Sequence, residues 1–134
     1  MTTFLVALAL TVLLLVALVV TGHKGQRSAH YALVVLTLAS LVWAVREAEV
    51  YGQGLVFEGA AESVRTIHFV FVGCVLALLP VMVVTGVRLA RVEDPARRRL
   101  HAKMAYAFLV MVLVTCTLGA AMTMMAEPIA VAAG

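Results

Sequence analysis

Four stretches of this chain run without an aspartate, glutamate, lysine or arginine for about the length that crosses the hydrocarbon core of a bilayer. They are Thr2 to Gly22, Ser28 to Val45, Thr66 to Val87 and Met104 to Ala126. Inside lipid a backbone has no water to bond, so such segments must satisfy their own amide and carbonyl groups as helices. Composition agrees: 64% of the 134 residues are hydrophobic and only 13% charged, which leaves no material for a separate soluble domain. The expected fold is an all-α, integral membrane, up-down-up-down four-helix bundle. It forms one domain over 1–134, with helices at about 3–22, 28–46, 65–88 and 100–126. The first stretch lacks a basic leading region and a small-x-small cleavage site before His23, so it reads as a helix, not as a signal peptide.

Orientation follows from lysine and arginine alone. Eight of the ten, Lys24, Arg27, Arg88, Arg91, Arg97, Arg98, Arg99 and Lys103, flank the first and third connections, and only Arg46 and Arg65 flank the second. Under the positive-inside rule the first and third connections face the cytoplasm and both termini lie outside it. The net charge of +3 is thus a topology signal, with no call for nucleic acid. The expected location is the cell's inner (plasma) membrane, as a multi-pass protein.

The two basic connections share a pattern. Val19-Val20-Thr21-Gly22 closes the first apolar stretch and Val83-Val84-Thr85-Gly86 the third. After each comes a basic loop and then Arg-x-x-His, as Arg27 to His30 and Arg98 to His101. The repeat predicts two duplicated helical hairpins, each with a histidine at the start of its second helix and at one membrane face.

Histidines inside a bilayer are costly and need a cause. In an up-down-up-down bundle the second and fourth helices lie on a diagonal, so His30 and His101 meet across the bundle axis at the cytoplasmic end. Two neutral imidazoles in that arrangement suit the axial positions of a haem iron. Arg27 and Arg98, three residues earlier on the same faces, are placed to pair with haem propionates. From His30, the residues Val34, Thr37, Leu41 and Ala44, with Ser40 beside them, continue a face of mixed polarity that can admit a neighbouring helix or a flat ligand. His68 falls near the outer face, with Glu47, Glu49 and Tyr51 as expected neighbours, and is a weaker metal candidate. Met122, Met124 and Met125 at that end raise copper(I) as an alternative cofactor.

Other features read structurally. Cys74 and Cys116 are expected as buried free thiols, Gly73 as a point of close helix approach, and Pro80 as a kink. Arg46 to Arg65 is expected as an exposed acidic loop, and Glu93-Asp94-Pro95 as a stop before the arginine run.

His30, His68 and His101, within Arg27-Ser28-Ala29-His30, Arg65-Thr66-Ile67-His68 and Arg98-Arg99-Leu100-His101, give a pattern that resembles the four-helix core of cytochrome b561-type membrane proteins. The resemblance implies haem b held by histidines of opposite helices, and electron transfer. Since the first helix has no histidine, it implies one haem of that family's two, bound by His30 and His101. The order of elements is also similar to the small four-helix proteins of unknown function that accompany haem-copper oxidase maturation, although glutamates end the second helix where those tend to carry histidine. That second resemblance implies a cofactor-handling accessory subunit of a respiratory complex; a structural subunit without cofactor is the third reading. Expected partners are the lipid bilayer and, for an electron carrier, a respiratory-chain membrane complex or a quinone. No nucleophile with an adjacent base, phosphate loop or paired carboxylates point to a hydrolase or transferase, so an enzyme activity extends at most to electron transfer, with no catalytic residue. A topology reporter inserted at Gln26 should be active only as a cytoplasmic fusion and one at Gly54 only as an exported fusion. The opposite pattern would reverse the orientation.

Overall fold

The computed structural model describes residues 2–92 and 94–129; Met1, Glu93 and 130–134 lie outside the described residues. Four helices form: α1 (Thr2–His23), α2 (Arg27–Gly52), α3 (Ala60–Arg91) and α4 (Pro95–Met125). Each is long and apolar enough to span a membrane. Two short strands, β1 (Leu55–Val56) and β2 (Glu127–Pro128), pair antiparallel, with Leu55 opposite Pro128 and Val56 opposite Glu127.

The helices outrun the charge-free stretches, and this corrects their expected bounds. Gaps between charges measure the apolar crossing, whereas a helix continues into polar surroundings wherever its backbone bonds are capped. Thus Arg46 to Gly52 is still α2 and Ala60 to Arg65 already α3, so the acidic connection shrinks from the expected Arg46–Arg65 to residues 53–59. The remaining loop is tied down: Ile129 N–H donates to Gly54 O at 3.0 Å, and the Arg65 guanidinium lies 5.1 Å from the Phe57 ring centre. Asp94-Pro95 starts a helix where the sequence suggested a stop. The Asp94 carboxylate accepts from Ala96 N at 2.9 Å and Arg97 N at 3.2 Å, and Pro95, with its fixed φ and no N–H to lose, suits the first helical position.

The α1–α2 connection is a glycine-closed helix end. Gln26 N–H donates to Thr21 O at 3.0 Å and Gly25 N–H to Gly22 O at 3.3 Å, with Gly25 at φ +70°, a conformation that costs a side-chain-bearing residue. The chain therefore folds straight back. α3 passes without interruption through Pro80.

α1 packs chiefly on α2, and α3 on α4; the two pairs join mainly where α1 meets α4. Leu15, Val75, Phe108 and Val112, one or two from each of α1, α3 and α4, make the central apolar cluster. Large apolar side chains on all four helices face outward, such as Leu13, Val42, Phe69 and Val110, the distribution a lipid solvent would select. Cys116 is half-buried beside the central cluster, but Cys74 is exposed, contrary to the buried position expected, because its side of α3 meets no neighbouring helix. Gly73 likewise has nothing within 4 Å of a built Cβ, so it marks no close approach.

The repeat seen in the sequence reappears as burial. Shifting α1 by 64 residues superposes Thr21 on Thr85, and shifting α2 by 71 superposes His30 on His101. In that register buried Thr11 matches buried Val75, and buried Thr37 matches buried Phe108. The hairpins differ in what fills these places. The first buries a polar pair, with Thr11 Oγ1 2.7 Å from Ser40 Oγ and donating to Ala7 O at 2.8 Å; the second puts Val75 and Met111 there. Because the Thr11–Ser40 bond is interhelical, Thr11→Val with Ser40→Ala in a double-mutant cycle should give a coupling of about 0.6 to 1.7 kcal/mol. Reversible unfolding in mixed micelles measures it, and zero coupling would show that the two hydroxyls do not hold the helices together.

Candidate functional site

Besides His23 at the last position of α1, three histidines stand on the long apolar helices, and each of these packs against a glycine of the other helix in its hairpin. A Cβ built on Gly22 would lie 3.0 Å from His30 Cε1, one on Gly119 3.1 Å from His68 Cε1, and one on Gly86 3.4 Å from His101 Cε1. At Gly22 and Gly119 a Cβ would crowd the ring, whereas at Gly86 it would meet the ring at ordinary contact distance. The Val-Val-Thr-Gly repeat thus acquires a function: its glycine seats the imidazole that follows in the next helix.

The ring nitrogens are sorted by the same contacts. His30 Nδ1 lies 3.0 Å from Leu18 O, and His68 Nδ1 3.0 Å from Thr115 O. A carbonyl only accepts, so Nδ1 carries the proton in both. His101 Nδ1 lies 2.9 Å from Thr85 Oγ1, which is also 2.8 Å from Val81 O and 3.0 Å from Met82 O. His30 and His68 are thus held as the Nδ1–H tautomer with a lone pair on Nε2, His101 has its Nδ1 engaged by a hydroxyl that can donate or accept, and no hydrogen bond reaches any of the three Nε2 atoms among the described residues. A metal-ligating histidine has this arrangement, one nitrogen tied to the protein and the other free.

The three fall into two groups. His30 and His101 sit beside the ends of α1 and α3 that lead into the two basic loops, at matching positions of the repeat. The backbones of α2 and α4, which carry them, scarcely approach each other. His68 is at the other end. From His68 to Gly86, the seat of His101, α3 runs 18 residues, or about 27 Å. Its partners also differ from those the sequence suggested: Thr115 and Gly119 of α4 replace Glu47, Glu49 and Tyr51 of α2, because α3 packs on α4 and hardly on α2. Tyr51 instead stacks on Phe4, with ring centres 5.8 Å apart. In the repeat register Phe4 corresponds to His68 and Tyr51 to Met122.

Arg98 extends back over the first basic loop, with its guanidinium 3.3 Å from a Cβ built on Gly25. Arg27 opens α2, one turn before His30. Both arginines are therefore at the loop end of the bundle, beside the histidine pair. Of the methionines at the far end, Met124 is 84% exposed and Met125 47%. Around Met125 a small cavity of about 50 Å³ is lined by Val56, Glu58 and Glu127.

The donor set tests which cofactor the chain can hold. No group of three or more His, Cys, Asp or Glu residues suited to a metal ion occurs among the described residues. A haem iron brings four nitrogens of its own and asks the protein for two, so among cofactors it is the one for which a pair of histidines such as His30 and His101 is a sufficient donor set. The larger cavity, about 300 Å³, is elsewhere, between α1 and α4, lined by residues that include Val16, Val20, His23, Lys24, Tyr106 and Leu109 and by neither histidine of the pair. The seating glycines are what sequence reasoning missed. The repeat displayed Gly22 and Gly86, and their meaning needed the pairing of each with a ring on the next helix; Gly119 had no repeat to mark it.

Comparison with known proteins finds no family model, curated protein or solved structure that matches the chain.

Gly22→Ala should push the His30 imidazole off its seat, whereas Gly86→Ala, whose Cβ would meet His101 at ordinary contact distance, should move that ring little and Gly73→Ala, with open space around it, should be silent. Ring-nitrogen chemical shifts of 15N-histidine-labelled protein report this. Unchanged His30 signals in Gly22→Ala would show that the glycine does not set the ring.

Proposed function

We propose that this chain is a membrane-embedded, up-down-up-down helical bundle that binds one b-type haem between His30 and His101 at its cytoplasmic end, and that it carries electrons or senses redox state there. The observation that carries this reading is the shared state of the two imidazoles. They occupy equivalent places on α2 and α4, each with Nδ1 hydrogen-bonded to the neighbouring helix of its hairpin and with no hydrogen bond at Nε2 among the described residues. Four apolar helices support the bilayer setting, and the eight lysines and arginines around the two basic loops support the cytoplasmic orientation.

Bound haem would supply one-electron chemistry at its iron. The chain's own residues do the rest. Leu18 O and Thr85 Oγ1 hold the two rings in orientation, and Leu18 O, by accepting from Nδ1–H, raises the basicity of His30 Nε2 toward a metal. Gly22 and Gly86 let the rings lie against the neighbouring helix without strain. Arg27 and Arg98 bring positive charge to the loop end, where the carboxylates of a haem with its polar edge toward water would lie. The apolar central cluster of Leu15, Val75, Phe108 and Val112 lies farther in and keeps that side dry. The partner in electron transfer would be a membrane complex or a quinone.

Protein purified in mild detergent should show a Soret band and sharpened bands on reduction. His30→Ala and His101→Ala should each abolish them and His68→Ala should leave them. Protein that stays colourless after haemin is added would overturn the reading in favour of a structural subunit. Bound copper lost on replacing Met124 and Met125 would overturn it in favour of a copper-handling accessory.

A further inference from the structure

The cavity of about 300 Å³ between α1 and α4 takes no part in the histidine site, and its walls change character along their length. On α1 the wall consists of two ridges of four-residue spacing, Val16-Val20-Lys24 and Val19-His23. Lys24 still belongs to the first ridge, because its N–H donates to Val20 O at 2.9 Å and so carries the helical ladder one residue past His23. On α4 the wall is Leu109 and, one turn nearer the basic loops, Tyr106. The deep part is therefore hydrocarbon on both sides, while the loop end carries an ammonium, an imidazole and a phenol. No carboxylate is among the described residues that line it.

The α4 wall continues outward with the same sign of charge. Tyr106 stands seven residues after Arg99 and three after Lys103, so the three share one face of α4, with Lys103 and then Arg99 successively farther from the hydrocarbon. Both are exposed. Among the described residues no aspartate or glutamate pairs with Lys24, Lys103 or Arg99, whereas the neighbouring Arg97 is held by Asp94 at 3.0 Å. The groove also opens to the outside of the bundle, since Val16, Val20 and Tyr106 are each about half exposed. Its volume is at the small end of ligand pockets, which suits a single chain. A soluble anion would gain nothing from the valine walls, and a neutral lipid or quinone nothing from the cations. The ligand that matches both halves has a hydrocarbon chain and an anionic head at its junction with water.

We propose that this groove holds an anionic phospholipid of the leaflet on the basic-loop side, with one acyl chain between Val16, Val20 and Leu109 and its phosphate bound by Lys24, Lys103 and the Tyr106 hydroxyl. The proposal needs the bilayer setting and is independent of haem. A lipid seated there bridges α1 and α4, the seam through which the two hairpins chiefly join, and so strengthens that joint.

Native mass spectrometry from detergent micelles, with phosphatidylglycerol or phosphatidylcholine of the same chains added, tests this. Wild type should retain one phosphatidylglycerol and prefer it to phosphatidylcholine on the order of tenfold, and each of Lys24→Gln and Lys103→Gln should weaken its binding on the order of fivefold. Val20→Trp, which fills the groove and leaves every charge in place, should remove the bound lipid, and phosphatidylglycerol should raise the Tm of wild type but not of Val20→Trp. Equal retention of the two lipids by wild type would overturn the headgroup selection, and unchanged phosphatidylglycerol binding in Val20→Trp would place the lipid on the loops and overturn the groove. A benzoquinone with an isoprenoid tail that displaces the lipid and binds Lys24→Gln as well as wild type would overturn the proposal in favour of a quinone. The charge variants and the filled groove are separate changes, so either decides the matter where the other does not fold. Soret absorbance of the same samples reports haem separately, and lipid selectivity in colourless protein leaves this proposal standing.

Discussion

The seating of an imidazole on a glycine is the contact on which the rest of this molecule depends. Histidine is a poor guest in an apolar bundle, because each ring nitrogen left unpaired away from water is a loss. At His30, His68 and His101 the loss is halved in the same way: the ring is brought against the backbone of the neighbouring helix, where a carbonyl or a threonine hydroxyl bonds with Nδ1. Glycine lets the ring come close without a Cβ in the way, most tightly at Gly22 and Gly119. The remaining nitrogen is left unpaired three times over. A sequence under pressure only to pack would have replaced such rings by leucine or phenylalanine, as Phe4 stands in the first hairpin where His68 stands in the second.

The two hairpins use one plan with different fillings. Both end their first helix in Thr-Gly, both turn the threonine hydroxyl back to carbonyls three and four residues earlier, and both place a histidine on the glycine. The partner differs: His101 reaches Thr85 Oγ1, whereas His30 passes the equivalent Thr21 and reaches Leu18 O. Deeper in, the first hairpin is polar at Thr11, Thr37 and Ser40, and the second has Val75, Phe108 and Met111. The hairpins thus divide the work. The second, joined by α1, makes the apolar cluster, and the first brings oxygen atoms into the interior.

The amount of this that could be read from the sequence follows from the range of the forces involved. Four helices were legible because hydrocarbon thickness fixes a length, and a length is a local property of sequence. The helix ends were less so: Asp94 looks like a terminator until its carboxylate is seen to accept from the two amides that α4 would otherwise leave bare. The histidine pair was legible because a repeat advertised it. The environment of His68 was not, since the choice between α2 and α4 as its neighbour depends on which helices pack, and the sequence carries no local mark of that. Gly73 and Gly119 look alike in sequence, yet one faces open space and the other an imidazole. The buried hydroxyl of Thr37, which has no hydrogen-bond partner among the described residues, is invisible before the structure, because seven other threonines in the same kind of helix bond back to it.

The division of the histidines also limits what an electron carrier of this design can do. With His68 some 18 residues along α3 from the level of His101, the two ends are separated by nearly the full apolar crossing, about 27 Å. The first hairpin has Phe4 and Tyr51 stacked at the His68 end, so it gives His68 no histidine to face. A site at His30 and His101 therefore has no counterpart above it through which an electron could pass to the other face. On this design donor and acceptor must both approach from the loop end or laterally within the bilayer, and the positive charge around the two basic loops suits an acidic protein surface there. At the far end β1 and β2 tie the connection between α2 and α3 to the segment that follows α4.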